Sequence, residues 1–462
     1  MSRLEPIDST TVMAMARVFF RRTLVKTFAL LLSVVALSAC SLEKSATAVV
    51  TPPVVASPTP PPLSPPVSPP VAPVPPPAPP PTAPPPTAPP APPPAVVYSS
   101  ALVITKGGTY SGNWQSLDAS VPAIEIRTAE PVVIQNSRIR SLGAGIQSFT
   151  RDAQITVQNV TAEAVYPSVE RAKKAEFVNI GLFKSVRIEH NSVTGYATGV
   201  RLLNFDVDIT RAGQVVRVRF NRFKNMDGRM SDGAGGYLLE HKGSGQAIGL
   251  NTIRNADVEI AWNEIINLPF QSQTEDVIST YESGGTVAKP ILIHDNYVQG
   301  NYASNPAGAI DFSGCGINLG DSPSTHPDVA YTNAYNNQVV SFQNSGMCIT
   351  AGRYQRMWNN RVVSSSYAPD GTLLGSSWRS GYNYNNYYNS PNWANNALYD
   401  NAYIVADRNL QTQPNYTPSG TPEEVYNNTE LFARAPTIAD EQAEFTRWQQ
   451  KVAANNITLG VR

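Results

Sequence analysis

The sequence predicts an all-β chain that coils into a parallel solenoid. A short phrase recurs, with apolar residues at alternate positions followed by Asn, as in VVIQNSRI (132–139), VRIEHNSV (186–193) and ILIHDNYV (291–298). The copies are spaced by tens of residues, which indicates a repeat architecture. No amphipathic helix separates them, although parallel strands outside a solenoid need such crossovers.

Each phrase predicts a strand with one buried face and a corner after it. Apolar side chains at every second position match the period of a half-buried strand. Asn tolerates the left-handed backbone conformation better than other residues that carry a side chain, so it marks a tight corner. The corner residues of the eight copies are Asn136, Asn159, Asn191, Asn221, Asn263, Asn296, Asn337 and Asn360.

A weaker, often Gly-flanked phrase lies between most copies and predicts a third strand in each coil. Examples are TGVRLL (198–203), QAIGLN (246–251), DVISTY (276–281) and CGINLG (315–320). One repeat is therefore strand, Asn corner, strand, loop, strand, loop. A β-sandwich with accidental Asn corners is the alternative, and it does not explain why the copies recur.

This pattern resembles the right-handed parallel β-helix of the pectin lyase-like superfamily, from about residue 101 to about residue 401. The resemblance implies a single-stranded right-handed parallel β-helix, which we place at 98–420, and a polysaccharide as the ligand. It does not imply a particular reaction, because function lies in sites that are added to folds.

The last segment, 421–462, predicts a cap with a helix. Phe445, Trp448 and Val452 share one face of IADEQAEFTRWQQKVAANN (438–456). A helix here would plug or flank the C-terminal end of the coil, where open strand edges need cover. Binding of a partner by this helix is the alternative.

The N-terminus predicts an export signal and a lipid anchor. Arg and Lys residues precede an apolar run at 28–37, and the run ends in Leu37-Ser38-Ala39-Cys40. This resembles the bacterial lipobox, which implies that residues 1–39 are removed and that Cys40 is lipidated. An ordinary signal peptide with a chance Cys is the alternative. We expect a bacterial cell envelope protein, at the outer membrane or cell surface.

A proline-rich linker follows at 40–97. Residues 51–95 hold 25 of the 40 prolines and no charged residue, which favours an extended polyproline stalk. The whole chain has 35 basic and 35 acidic residues. This balance argues against nucleic acid, whose binding calls for a basic face. Membrane contact is expected through the anchor alone.

Cys315 and Cys348 are candidates for a disulfide between successive coils. Stacked strands lie about 4.8 Å apart, within reach of a disulfide. However, Cys315 lies two positions before Ile317 and Cys348 one position before Ile349. That register places the thiols on opposite faces, so two buried thiols remain the alternative.

Carboxylates and histidines at strand ends form the candidate catalytic site. The signatures of polygalacturonases, pectate lyases, mannuronan epimerases and pectin methylesterases are absent or fragmentary. If the coils stack, the side chains gather on one side, where carboxylates could act as acid and base on a glycoside or bind Ca²⁺, although no cofactor is required. Turn chemistry is the competing explanation. The candidates are Glu275, Asp276, His294, Asp295 and Asp321.

Aromatic residues crowd the last coils and are candidate sugar-binding residues. Rings stack on sugars, but they also pack loops onto a core. The candidates are Trp358, Trp378, Tyr382, Tyr384 and Trp393.

Two functional hypotheses follow. The first is an envelope-anchored lipoprotein that binds extracellular or cell-surface polysaccharide. The second is a polysaccharide lyase or glycoside hydrolase that uses carboxylates on successive coils. In both cases we expect the site beside the longest intervals, 221–263 and 296–337. The first interval carries a Gly-rich insert with His241 and Lys242 as a further candidate pair.

Overall fold

Parallel strands stacked in successive coils form almost the whole folded chain. The structure is a computed structural model that describes residues 96–204, 213–239, 245–321, 326–387, 392–413 and 424–462. All named strand pairings in these ranges are parallel, for example Val200 with Ile248 and Ile278 with Ile317. The strands form three ladders, which we number in the order in which the chain enters them.

Ladder 1 is a separate sheet. Its strands are β1 (Leu102–Ile104), β4 (Ile124–Ile126), β6 (Ile146–Ser148), β8 (Glu176–Gly181), β11 (Thr198–Leu203), β14 (Gln246–Asn251), β17 (Ile278–Tyr281), β20 (Cys315–Leu319), β23 (Ser345–Ile349) and β26 (Arg379–Asn383).

Ladder 2 follows in each coil. It contains β2 (Gly108–Tyr110), the first halves of β5 (Pro131–Ser141) and β7 (Gln154–Ala164), then β9 (Ser185–Glu189), β12 (Val215–Arg219), β15 (Asp257–Ala261), β18 (Ile291–His294), β21 (Thr332–Tyr335), β24 (Arg356–Trp358), β27 (Ala397–Tyr399) and β29 (Val425–Tyr426).

Ladder 3 completes the coil. It contains β3 (Asn113–Ser116), the second halves of β5 and β7, then β10 (Ser192–Thr194), β13 (Arg222–Lys224), β16 (Glu264–Ile266), β19 (Tyr297–Asn301), β22 (Gln338–Phe342), β25 (Arg361–Ser364), β28 (Ala402–Val405) and β30 (Thr429–Glu430). The predicted fold class, an all-β parallel β-helix with a C-terminal helix, is confirmed.

One apolar core runs along the inside of the coil. Alternate residues of β12 are buried, and Val216 and Val218 face the core between the equivalent residues of β9 and β15. β-branched side chains pack well on such a pleated surface, which explains why Val and Ile dominate the inward positions.

Asn side chains, all buried except that of Asn428, form a continuous hydrogen-bonded ladder at the corner between ladders 2 and 3. Each side-chain amide donates to the Oδ1 of the Asn in the next coil over 2.9–3.0 Å. These bonds satisfy polar groups that would otherwise be buried without partners. The members are Asn191, Asn221, Asn263, Asn296, Asn337, Asn360, Asn401 and Asn428.

Two details of the predicted corner are corrected. The left-handed residue is the one before the ladder Asn, for example His190 at φ 57° and Trp262 at φ 55°. The inward Asn keeps an ordinary backbone because its side chain makes the corner bonds. Asn136 and Asn159 are themselves left-handed, and they align with His190 rather than with Asn191. The coils of β5 and β7 therefore lack a ladder Asn, and both strands run through the corner.

The predicted C-terminal helix is present as α1 (Ile438–Ala454). Trp448 is fully buried, and Phe445 and Val452 pack beside it as predicted. The helix lies against the outer side of ladder 3 rather than across the end of the coil. Trp448 Nε1 donates to Glu264 of β16 over 2.9 Å, and Arg361 of β25 pairs with Glu444 over 2.6 Å.

The N-terminal predictions stay predictions. The signal (1–39), Cys40 and most of the linker (40–97) lie outside the described residues, as does part of the predicted boundary near 420. Within the described ranges, no helix combines the length and the apolar composition that crossing a membrane requires.

Candidate functional site

The outer face of ladder 1 carries the candidate carboxyl groups. Val277 lies just before β17, and Ile278 is its first residue. Both are fully buried in the core, so two consecutive side chains point inward here. The residue before such a pair must face outward. Asp276 takes this position. Since Ile278 pairs with Ile317, Cys315 takes the same position one coil later.

Asp276 and Asp321 form the centre of a hydrogen-bonded cluster. Asp276 Oδ1 accepts the backbone N–H of Cys315 over 2.7 Å, and its Oδ2 accepts Asn318 Nδ2 over 3.0 Å. Asp276 and Asp321 lie close enough for the charge of Asp321 to act on Asp276. Tyr387 donates its hydroxyl to Asp321 Oδ1 over 2.9 Å. Two buried carboxyl groups that interact in this way disfavour each other's ionised form.

Burial raises the pKa of three carboxyl groups, those of Asp276, Asp321 and Glu275. Full burial is the largest cause of the raised pKa of Asp276, and the charge of Asp321 adds to the effect. Burial also raises the pKa of Asp321, although the hydrogen bonds from Tyr387 and Asn318 oppose the shift. Glu275 is exposed at the edge of the groove described below. Partial enclosure and Asp321 raise the pKa of its carboxyl, and Lys173 opposes them.

A polar groove of about 520 Å³ runs along this face. Its volume falls within the range of about 300–1,000 Å³ that is typical of ligand sites. It extends over five consecutive strands, from β8 to β20, which is four steps of about 4.8 Å or roughly 19 Å. The groove is lined by polar side chains that include those of Lys173, Arg201, Gln246, Glu275, Tyr281 and Asp321.

The opposite wall of the groove is basic. Lys174 Nζ contacts Asp227 over 2.8 Å, and Arg229 pairs with the same buried carboxylate. Burial lowers the pKa of Lys174, although the charge of Asp227 opposes the shift. Arg201 pairs with Glu176 over 2.9 Å and stays partly exposed. The groove thus has cations on one side and protonatable carboxyl groups on the other.

His294 and Asp295 do not join this cluster. They lie at the corner after ladder 2, where His294 Nδ1 contacts Asp295 over 2.8 Å and Nε2 lies 3.3 Å from Glu259. Asp295 also pairs with Lys451 of α1 over 2.7 Å. Burial alone would lower the pKa of His294, but the two carboxylates raise it to about 9. This arrangement anchors α1 and leaves the catalytic role of both residues without support from the geometry.

A disulfide joins Cys315 and Cys348, whose Cα atoms are 6.3 Å apart. The expected placement on opposite faces does not occur. Gly316 and Ile317 both face inward, so the alternation breaks and Cys315 points outward like Cys348. The ring of Tyr382 packs against the two cysteines, and its hydroxyl lies 3.8 Å from Cys315 Sγ. The disulfide therefore braces the strand end that supplies a donor to Asp276.

Trp358 belongs to an aromatic stack on ladder 2. Its ring lies 4.8 Å from that of Tyr335 and 5.9 Å from that of Tyr399, with interplanar angles of 12° in both cases. Stacked neighbours cover both faces of the ring. A sugar needs a free face, so this position does not offer a sugar platform.

The other four predicted aromatic residues are divided between two places. Trp378 contacts Tyr382 with centroids 5.8 Å apart, and Tyr384 packs beside the disulfide. Trp393 packs against the main core. The five residues therefore form no single surface, and packing explains most of them.

The described residues contain no group of three or more His, Cys, Asp or Glu side chains arranged to hold a metal ion. Ca²⁺ binding stays a prediction. His241 and Lys242 lie outside the described residues.

Sequence reasoning missed the basic wall and the groove residue Tyr281. A signal for part of the wall was present. Alignment of the weaker phrases puts Arg201, Gly249 and Ser279 in one outward row, and the observed register confirms that row. Lys173 comes from a loop whose position no phrase predicts.

Comparison with known proteins yields limited similarity, and only to solved structures. No family model matches this chain, and no curated protein matches it. Among solved structures, the chain is similar to a mannuronic acid-specific polysaccharide family 6 lyase from human gut microbiota, with 13% sequence identity and a TM-score of 0.24. The alignment covers 79% of this chain and 91% of that chain. A similarity at this level carries no argument about function.

Proposed function

We propose that this chain binds a polysaccharide in the ladder 1 groove. The groove itself is the observation that carries the proposal, because it is polar, open and spans five coils. A small ligand would not need roughly 19 Å of parallel strands, whereas an extended polymer would lie across them. Amides such as Gln246 and Asn251 can bond sugar hydroxyls, and Tyr281 can contact a ring.

A second candidate function is cleavage of the bound glycan. The buried position of Asp321 favours it, since burial raises the pKa of this carboxyl and a raised pKa suits a carboxyl group to act as a general acid. Asp321 faces the groove and would donate the proton to the leaving oxygen. Glu275, more exposed and opposite Lys173, would act as base or nucleophile. Asp276 lies beneath Asp321 and positions it.

A glycan panel assayed for binding and for products tests both functions. We expect binding of at least one polysaccharide, with roughly tenfold weaker affinity for Lys173→Ala, since the lost ammonium makes charge-assisted hydrogen bonds. Lys184→Ala removes an exposed charge elsewhere and should leave the affinity for the polysaccharide unchanged. No binding on any glycan would overturn the proposal.

Cleavage is tested with the polysaccharides that bind. New reducing ends or unsaturated products should appear with the unmodified chain and disappear with Asp321→Asn and Glu275→Gln, while binding persists. Asp370→Asn and Glu430→Gln are matched controls on exposed carboxylates. Binding without products would leave a purely glycan-binding protein.

We also propose that lipid on Cys40 and the proline-rich segment hold the β-helix at the bacterial cell envelope. The lipobox-like sequence Leu37–Cys40 and the uncharged segment 51–95 support this location. Incorporation of labelled palmitate should depend on Cys40 and should be lost in Cys40→Ala. Labelling of that variant would contradict the anchor.

A further inference from the structure

A second cleft lies around the corner from the groove, where the chain passes from ladder 1 to ladder 2. It has a volume of about 380 Å³ and lies between the loop 285–288 and the next two coils. Its walls include Val287, which is 77% exposed, and the ring of Tyr331. The cleft shares no lining residue with the groove.

Tyr331 presents one free ring face to this cleft. Its other face is covered by Tyr354 of the following coil, with centroids 4.8 Å apart and an interplanar angle of 5°. The uncovered face is turned towards the preceding coil, whose loop supplies Val287 and Ala288. An aromatic face opposite small apolar side chains fits a ring that has C–H groups on both sides.

Arg353 adds a cation that has no side-chain partner in the described part of the chain. Among the described residues, its side chain has no hydrogen-bond or ion-pair partner, and its Nε atom is buried. The guanidinium lines the cleft without an ion-pair partner in the described ranges, and this uncompensated charge favours an anionic ligand. Such a group binds carboxylate or sulfate in a bidentate way.

The cleft also contains partners for hydroxyl groups. Asn255 Nδ2 donates to Asp328 Oδ2 over 3.3 Å, and both side chains line the wall. Asp328 lies beside His326, at 3.9 Å, and the charge of Arg254 acts on it. The charge of Arg254 offsets the repulsion between Asp328 and an anionic ligand, and the Asp328 carboxylate keeps acceptor sites for hydroxyl donors.

We propose that this cleft is a second glycan-binding site, which takes one sugar unit bearing a carboxylate or a sulfate group. The ring stacks on Tyr331, the anionic group pairs with Arg353, and hydroxyl groups bond Asp328 and Asn255. The site does not depend on cleavage in the groove. It would hold a neighbouring part of a polymer, or a separate chain, near the coils that form the groove.

Titration of the whole chain by saturation-transfer NMR tests this site. The probes are methyl glucuronide, glucose 6-sulfate and, as the neutral comparison, methyl glucoside. We expect an anionic probe to bind more tightly than the neutral one, and the two anionic probes to distinguish carboxylate from sulfate. Arg353→Gln should weaken the binding of the preferred anionic probe roughly tenfold or more, because the charge-assisted pair is lost.

Two further variants separate the cleft from folding effects and from the groove. Val287→Asp adds a repulsive charge at an exposed position. It should weaken the binding of the anionic probes without disturbing the fold. Arg356→Gln removes an exposed charge on β24 and should change nothing. If neither anionic probe binds, or if binding survives Arg353→Gln but is lost in Lys173→Gln, the proposal is overturned. The second result would place the sugar in the groove, so it would leave the proposed function standing.

Discussion

Removal of one ladder Asn tests whether the buried amide column stabilises the coil. Asn296→Ala deletes a fully buried side chain. Its Oδ1 accepts the backbone N–H and the Nδ2 of Asn263, over 3.0 and 2.9 Å. Its Nδ2 donates to Asn337 Oδ1 over 2.9 Å and to two backbone carbonyls over 3.0 Å.

The expected cost follows from these bonds. The backbone N–H of Asn263 loses its acceptor inside the core, which costs about 1–3 kcal/mol. The remaining bonds contribute about 1 kcal/mol in net terms, because the side-chain amide of Asn263 keeps other acceptors. We expect the free energy of unfolding to fall by about 3 kcal/mol.

Urea unfolding followed by circular dichroism measures the change. Asn333→Ala is the matched control, since Asn333 faces outward on β21 and makes no side-chain hydrogen bond in the described part of the chain. A loss for Asn296→Ala of less than about 1 kcal/mol, equal to that of the control, would refute the stabilising role of the ladder.

Three further predictions concern the corner histidine, the disulfide and the helix. His294 has a raised folded-state pKa of about 9. Its contribution to stability should therefore be complete below about pH 6.5 and lost as pH rises through about 9; melting curves of His294→Gln should lack this loss. Cys348→Ser should lower the free energy of unfolding by roughly 3–4 kcal/mol, because the disulfide closes a loop with a sequence separation of 33 residues. Denaturant unfolding should give the same free energy for this variant as for the reduced chain. Trp448→Ala should lower the free energy of unfolding by about 3–5 kcal/mol and speed amide hydrogen exchange in α1. An unchanged exchange rate would contradict the role of Trp448 in packing this helix.

The sequence predicted the fold well because its main signals are local. Inward positions such as Val216 and Val218 alternate with polar residues, and that period alone indicates a strand with one buried face. The Asn corner was also visible, although its exact conformation was not. The choice of which corner residue becomes left-handed depends on side-chain bonds between coils, which no single phrase contains.

The candidate site was predictable only where stacking followed from the repeat. Stacking of successive coils puts Asp276 and Asp321 on the same outer face of ladder 1, although they lie at opposite ends of their strands. The basic wall was not predictable, since Lys173 lies in a loop whose length varies between repeats. The stack of Tyr335 on Trp358 likewise depends on an inter-coil register that these loops obscure.

A crystal structure with a bound glycan would test the central claim most directly. The sample would be the Asp321→Asn variant, soaked with an oligosaccharide from the panel that the chain binds, so that cleavage cannot remove the ligand. We predict sugar units in the ladder 1 groove, lying across the strands between Lys173 and Glu275. Sugar units found only on another face, with the groove empty, would contradict the account.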